Sequence, residues 1–128
     1  MADSSYPSDL LYHPEHDWAR IDGGTATFGI TWYAQDQLGD VVFFDPPDVG
    51  KTVTAGEPYA EVESVKAVSD VIAPMSGEIV EVNGTLADAP EMINDDPYGE
   101  GWLVRVALSD PGEADRMLDH EAYEALLS

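Results

Sequence analysis

The chain has 128 residues, enough for one domain with a substantial core, and Asp plus Glu at 26 against five Lys and Arg give a formal net charge of −21. A surface of that sign repels the phosphates of nucleic acid and of anionic lipid, so neither is an expected partner. With no cysteine, disulfides, thiolate metal sites and cysteine nucleophiles are excluded, and any redox chemistry has to be brought in.

The carboxylates are spread along the whole chain, and 44% apolar residues with three Trp and six Tyr favour a folded domain over disorder. In molar salt the Debye length falls to about 3 Å, which screens the self-repulsion while hydrated carboxylates keep the protein dissolved. The composition therefore reads as that of a halophilic prokaryote. The opening MADSSYPSDL has no basic segment followed by an apolar one, and the run Val41-Val42-Phe43-Phe44 is far short of a membrane span. A cytoplasmic protein is expected, one domain over residues 1–128 with residues 1–11 as a flexible extension.

In chain order, residues 17–30 alternate apolar and polar about Asp22-Gly23-Gly24, which predicts a hairpin. Thr31 can cap a short helix through Leu38, with Gly39 as its stop. Residues 41–44 predict a buried strand ended by Pro46-Pro47. Strands over 51–54, 58–64, 67–72 and 77–83 follow, punctuated by Gly56, Pro74 and Gly77. The stretches Ala60-Glu61-Val62-Glu63-Ser64 and Val80-Glu81-Val82-Asn83-Gly84 share a pattern, each after a Gly-Glu pair, and suggest two related strand–turn units packed face to face. Beyond a segment broken by Pro and Gly, residues 102–108 predict a strand. Two short helices then close the chain as a lid, the first capped by Ser109 or Asp110 and the second by Asp119, with Tyr123, Leu126 and Leu127 on one face.

Catalytic motifs fail one at a time. Gly50-Lys51-Thr52 ends like a phosphate loop but has Asp45 where glycine is required, and no helix follows. Pro14 interrupts any helix that would set His13 and His16 on one face for a metal. Asn94-Asp95-Asp96 lacks the spacing of a calcium loop and reads as a solvated turn. No serine stands in a G-x-S-x-G elbow. What remains is VESVKAVSD. Strands over 58–64 and 67–72 leave only Val65 and Lys66 between them, a tight hairpin with Lys66 at its tip and neither residue suited to positive φ. The chain has one other lysine, Lys51. A long-stemmed amine kept on a rigid protrusion suits the attachment of a swinging prosthetic group.

From Tyr12 to Leu127, through HPEHDW, FGITWYAQDQLGDVVF, ESVKAVSDVIAP, SGEIVEVN, NDDPYGEGW and EAYEALL, the sequence resembles the H-protein family of the glycine cleavage system. The resemblance implies a mainly β fold, a barrel-sandwich hybrid like other lipoyl and biotinyl carriers, with a short helix in the N-terminal half and helices at the C-terminus. It implies lipoate in amide linkage to Lys66 and a carrier in place of an enzyme. The arm would take an aminomethyl group from glycine decarboxylase (P protein) to aminomethyltransferase (T protein), and dihydrolipoyl dehydrogenase (L protein) would reoxidise it. Glu63 and Gly77 match the positions that a lipoate-attaching enzyme favours. Asp17 and Asp70, with His16 nearby, match a cleft that would hold the cationic amine of the loaded arm. The sequence departs from the family at Glu15, Asp17 and Trp32, where a small polar residue, a glutamate and an acidic residue are usual. Three other readings stay open. A biotin carrier would have methionines where Val65 and Ala67 stand; a lipoyl or octanoyl relay would use the same residues; an unmodified adaptor would leave Lys66 bare.

Overall fold

The computed structural model describes residues 6–127. In chain order it has β1 (Leu11–His13), β2 (Asp17–Asp22), β3 (Thr25–Ile30), α1 (Trp32–Leu38), β4 (Val41–Asp45), β5 (Thr52–Val53), β6 (Pro58–Ser64), β7 (Val68–Ile72) and β8 (Gly77–Val82). These are followed by α2 (Thr85–Asp88), α3 (Met92–Asp95), β9 (Val104–Leu108), a 3-10 segment (Pro111–Arg116) and α4 (His120–Leu127). Antiparallel pairing builds a six-stranded sheet in the order β1-β2-β3-β9-β8-β5 and a three-stranded sheet in the order β4-β6-β7. The mainly β sandwich expected from the sequence is present, with no closed barrel.

The β2–β3 hairpin turns on Gly23 and Gly24, Gly23 taking φ 63 where a side chain would be strained. In the same hairpin Trp18 pairs with Gly29, and its indole lies where a Cβ at Gly29 would stand, so only glycine lets the ring cross the neighbouring strand. Apolar side chains on alternate positions of both sheets meet in one core, among them Phe28, Ile30, Val62, Val71, Ile79, Val104 and Val106. A second, aromatic cluster joins Leu10, Tyr12, Trp18, Tyr98 and Tyr123, with Trp32 and Trp102 packed on it. Tyr12 and Tyr123 stack at 4.9 Å between ring centres, which fixes α4 against β1.

Several expectations change. Residues 6–11 are not a loose extension: Leu10 is buried, Leu11 starts β1, and Tyr6 packs edge-on against Tyr12 and Tyr123. Residues 1–5 lie outside the described part. The strand expected over 67–72 starts at Val68, so the β6–β7 loop has three residues, Val65, Lys66 and Ala67. The strand expected at 102–108 starts at Val104, and that over 51–54 shrinks to Thr52–Val53. The first C-terminal helix is 3-10, capped by Asp110, whose carboxylate accepts from Gly112 N at 3.1 Å. Glu113 pins that segment by accepting from Ser76 N and Oγ at 2.7 and 2.8 Å. The two similar stretches lie in different sheets, β6 in one and β8 in the other.

Candidate functional site

The Lys66 loop contains no glycine, and among the described non-glycine residues only His16 has positive φ. The chain reverses by another device. Ser64, itself buried, accepts through Oγ from the backbone N–H of Lys66 at 3.2 Å and of Ala67 at 3.1 Å, and its own N–H donates to Ala67 O at 2.8 Å. A serine hydroxyl thus takes the place of the turn residues the sequence lacks. Val65 N donates to Asp40 O at 3.0 Å, tying the loop to the α1–β4 connection. The stem of Lys66 runs past Gly39, which has φ 80 and whose missing Cβ would lie 3.4 Å from Cε. Lys66 is exposed, and its ammonium makes no hydrogen bond or ion pair among the described residues.

Behind the lysine opens a cleft of about 310 Å³. One wall is residues 67–71, running from the Lys66 loop along β7, which pairs with β6 alone and so presents its free edge. The other wall is α1, through Tyr33, Ala34, Gln37 and Leu38, with residues 15–17 at the end and Ile30 and Val62 beneath. His16, Asp17 and Asp70, predicted as a group, all line it. Asp70 is exposed at the rim, whereas Asp17 is only 2% exposed. Asp17 Oδ2 is buried and, among the described residues, without a hydrogen-bond partner. Burial, reinforced by the neighbouring charge of Glu15, raises the Asp17 carboxyl well above the usual carboxylate range. The buried Tyr59 hydroxyl is also unpartnered, and burial followed by the charge of Asp17 pushes it well above the ordinary phenol value.

His16 forms the end wall in a left-handed backbone conformation, φ 75, that a side chain rarely adopts. Four contacts hold it there. Its N–H donates to His13 O at 2.9 Å, its carbonyl accepts from Thr31 N at 3.1 Å, its ring lies 4.6 Å from that of Tyr33, and Nδ1 is 2.7 Å from Tyr123 Oη. Burial lowers the imidazole below the ordinary histidine value, with Glu15 opposing, so the ring is neutral near pH 7. The Tyr123 hydroxyl thus shares one hydrogen bond with His16 Nδ1 and a second with Thr31 Oγ1 at 2.8 Å. Thr31 Oγ1 also caps α1 by accepting from Ala34 N at 3.2 Å.

Sequence reasoning missed the residues that hold these parts together. Asn94, read as part of a solvated turn, lies in α3 and bridges three elements. Its Oδ1 accepts from Val41 N at 2.8 Å, and its Nδ2 donates to Gly39 O at 2.9 Å and to Gln35 Oε1 at 3.0 Å. Ser64 and Tyr123 carried signals of a kind, a hydroxyl beside a turn without turn residues and a lone aromatic on the face of a terminal helix. Asn94 carried none. Glu63 faces outward from the middle strand, opposite Phe43 and Val68. Gly77 is not near Lys66: it begins β8, at the far end of β7, where a Cβ would collide with the Ala107 carbonyl and Val106. Trp32 stands half-buried against the aromatic cluster, its N–H donating to Tyr98 Oη at 2.9 Å.

A family model described as Glycine cleavage H-protein matches residues 10–128. The chain belongs to the glycine cleavage H-protein family. Its members are carriers and not enzymes. A glycine cleavage system H protein from Symbiobacterium thermophilum is 52% identical over 122 residues, covering 95% of each chain. One from Herpetosiphon aurantiacus is 57% identical over 106 residues, covering 83% of this chain and 82% of that one. The crystal structure of the H protein from Mycobacterium marinum superposes with a TM-score of 0.85 at 46% identity, covering 94% of this chain and 97% of that one. The two-sheet fold is therefore that of the family. No helix among the described residues is long and apolar enough to cross a membrane.

Proposed function

We propose that this chain carries lipoate in amide linkage to Lys66 and works as the mobile carrier of a glycine cleavage system. The observation that supports this most is the exposed ammonium of Lys66, unpaired among the described residues, on a loop fixed by Ser64 whose next residue, Ala67, lines a cleft together with His16, Asp17 and Asp70. The residues fit the group: the amine is open to an acylating enzyme, and the cleft is lined by apolar side chains with three carboxyl groups, Glu15, Asp17 and Asp70, among the polar ones. Lipoate supplies the disulfide chemistry that a cysteine-free chain lacks, taking up an aminomethyl group at glycine decarboxylase, delivering it at aminomethyltransferase and being reoxidised by dihydrolipoyl dehydrogenase.

The chain's own residues receive the loaded end. Asp70 at the rim and Asp17 within offer carboxyl oxygens to a cationic amine, and His16 closes the end of the cleft. Burial, with the charge of Glu15, raises the Asp17 carboxyl and opposes its charged form; a cation alongside it would favour that form again by charge-assisted pairing. Ile30, Val62 and Leu38 keep the surroundings apolar, which strengthens that pairing and limits access of water. Glu63 is a direct contact for the lipoate-attaching enzyme, while Gly77 contributes through the close β8–β9 approach that supports the far end of the hairpin.

The mass of the Lys66 peptide from the native organism tests the reading: a lipoyl adduct supports it, and a biotinyl adduct or bare lysine refutes it. We propose also that the charge of −21 adapts the protein to a salt-rich cytoplasm. An unfolding midpoint equal in dilute buffer and in molar salt would count against that.

A further inference from the structure

Tyr59 carries a buried hydroxyl without a partner among the described residues, and regular strand geometry would not have put it there. The pairing of β6 with β7 slips between Pro58 and Ala60, so the residue between them leaves the alternation. In a regular strand Tyr59 would share the outer face with Glu61 and Glu63. The slip turns it inward instead, 4% exposed, with its ring edge-on to Phe28 at 6.2 Å between ring centres. Phe28 stands opposite Ala19 on the inner face of the β2–β3 hairpin, and Asp17, two residues before Ala19 and opposite Ile30, shares that face. A buried donor with no acceptor destabilises a fold, and a phenylalanine ring would fill the same space without that penalty. Asp17 has the matching deficit, an Oδ2 that is buried and unpartnered. The charge of Asp17 also acts on Tyr59 and, with burial, keeps its hydroxyl protonated and able to donate.

We infer that Tyr59 is a positioning residue for Asp17: its hydroxyl, on the core side of the cleft, donates to Oδ2 whenever Asp17 carries its charge, as it does beside a cationic group. The inference rests on the reading of the cleft as the seat of the loaded arm. No hydrogen bond joins the two groups in this structure, so the contact is made by a small side-chain shift or through one buried water. A carboxylate taken out of water needs hydrogen bonds on the oxygen that the cation does not reach. Around Asp17 stand Glu15 and His16 in the turn before it, His13 opposite on β1, Tyr33 on α1, Asp70 on β7 and Tyr123 on α4. Glu15 and Asp70 are acceptors, and Tyr123 is already bonded to His16 and Thr31. Tyr59, which does not line the cleft, is the donor on the side that solvent does not reach. With it, the Asp17 carboxylate is held between an ammonium from the cleft and a phenol from the core, which fixes its direction and slows the departure of the cation.

The test follows the Asp17 carboxyl carbon through a pH titration by NMR, in the full unmodified chain labelled with 13C-aspartate, the signal being assigned by its loss in Asp17→Asn. Tyr59→Phe is expected to raise the midpoint by about one pH unit, because losing a donor to the charged form disfavours that form. At acid pH, below that midpoint, its melting temperature should equal or exceed the parent's, since an unpaired buried hydroxyl has gone; a hydroxyl with a purely structural bond would lower it. Glu15→Gln, which removes the neighbouring charge, should lower the midpoint in parent and variant alike, showing that the signal responds. In the lipoylated chain loaded with glycine decarboxylase and glycine, Tyr59→Phe should release the aminomethyl group several-fold faster. An unchanged Asp17 midpoint overturns the inference, and so does a raised midpoint with a loaded arm of unchanged lifetime. A chain that takes no lipoate refutes the carrier reading, while the titration still decides whether Tyr59 serves Asp17.

Discussion

Replacing Ser64 by alanine isolates what holds Lys66 in place. The substitution removes one hydroxyl and nothing else, yet leaves the amides of Lys66 and Ala67, now accepted at 3.2 and 3.1 Å, without a partner on the protein. A typical intramolecular hydrogen bond contributes about 1 kcal/mol net, so two bonds to a buried acceptor amount to about 2 kcal/mol. For a domain of this size that lowers the melting temperature by roughly 6 °C. Denaturant unfolding gives the free energy, and hydrogen exchange gives the location. The Lys66 and Ala67 amides should lose protection far more than the β2–β3 hairpin, and acylation of Lys66 should slow as the loop samples other shapes. Ser64→Thr keeps the hydroxyl and should retain most of the protection. If Ser64→Ala unfolds like the parent and the two amides exchange at unchanged rates, the loop is held by something other than that hydroxyl and the account of the turn is wrong.

Asn94→Ala should cost about 3 kcal/mol by denaturant unfolding, since three hydrogen bonds to Val41, Gly39 and Gln35 are lost together. Tyr123→Phe keeps the stacked ring but removes the bonds to His16 and Thr31; a loss of about 1–2 kcal/mol is expected, with faster release of a loaded arm. Asp17 makes stability depend on pH in a definite direction. Its folded value lies above the unfolded one of about 3.9, so its favourable contribution is complete below that pH and is lost as pH rises through the folded value. Measured against Asp17→Asn, the parent should therefore lose stability as the solution is made less acidic; a difference that stays constant with pH would refute it. Gly77→Ala should destabilise strongly, because the neighbouring carbonyl of Ala107 belongs to a paired strand and cannot move aside cheaply.

The elements that sequence reasoning found are those whose signal is local. Alternation over 17–30 about two glycines, a threonine before an amphipathic turn, and a lysine where turn residues should be all survive into the structure as β2–β3, α1 and the Lys66 loop. The misses depend on distant partners. The loop gained a residue because a serine hydroxyl organises it, a bond that hydropathy does not register. The four-residue helices α2 and α3 are shorter than any amphipathic period, and their neighbours are prolines and glycines. Asn94 is an ordinary polar residue until tertiary structure sets it beside Gly39 and Val41. Residues 6–11 look dispensable because the aromatic cluster that captures Tyr6 and Leu10 comes from both ends of the chain. His16, Asp17 and Asp70 could be grouped only through the family resemblance, since Asp17, with His16 in the turn before it, and Asp70 stand in strands of different sheets.

His16 and Tyr123, bonded at 2.7 Å, are 107 residues apart in sequence. Their contact is therefore strongly non-local and forms only after α4 has been synthesised. On the ribosome the β6–β7 hairpin can pair, and display its lysine, while α4 is still inside the exit tunnel. On the lipoyl reading proposed above, the nascent chain could be modified before α4 docks and Tyr123 takes up its hydrogen bond to His16.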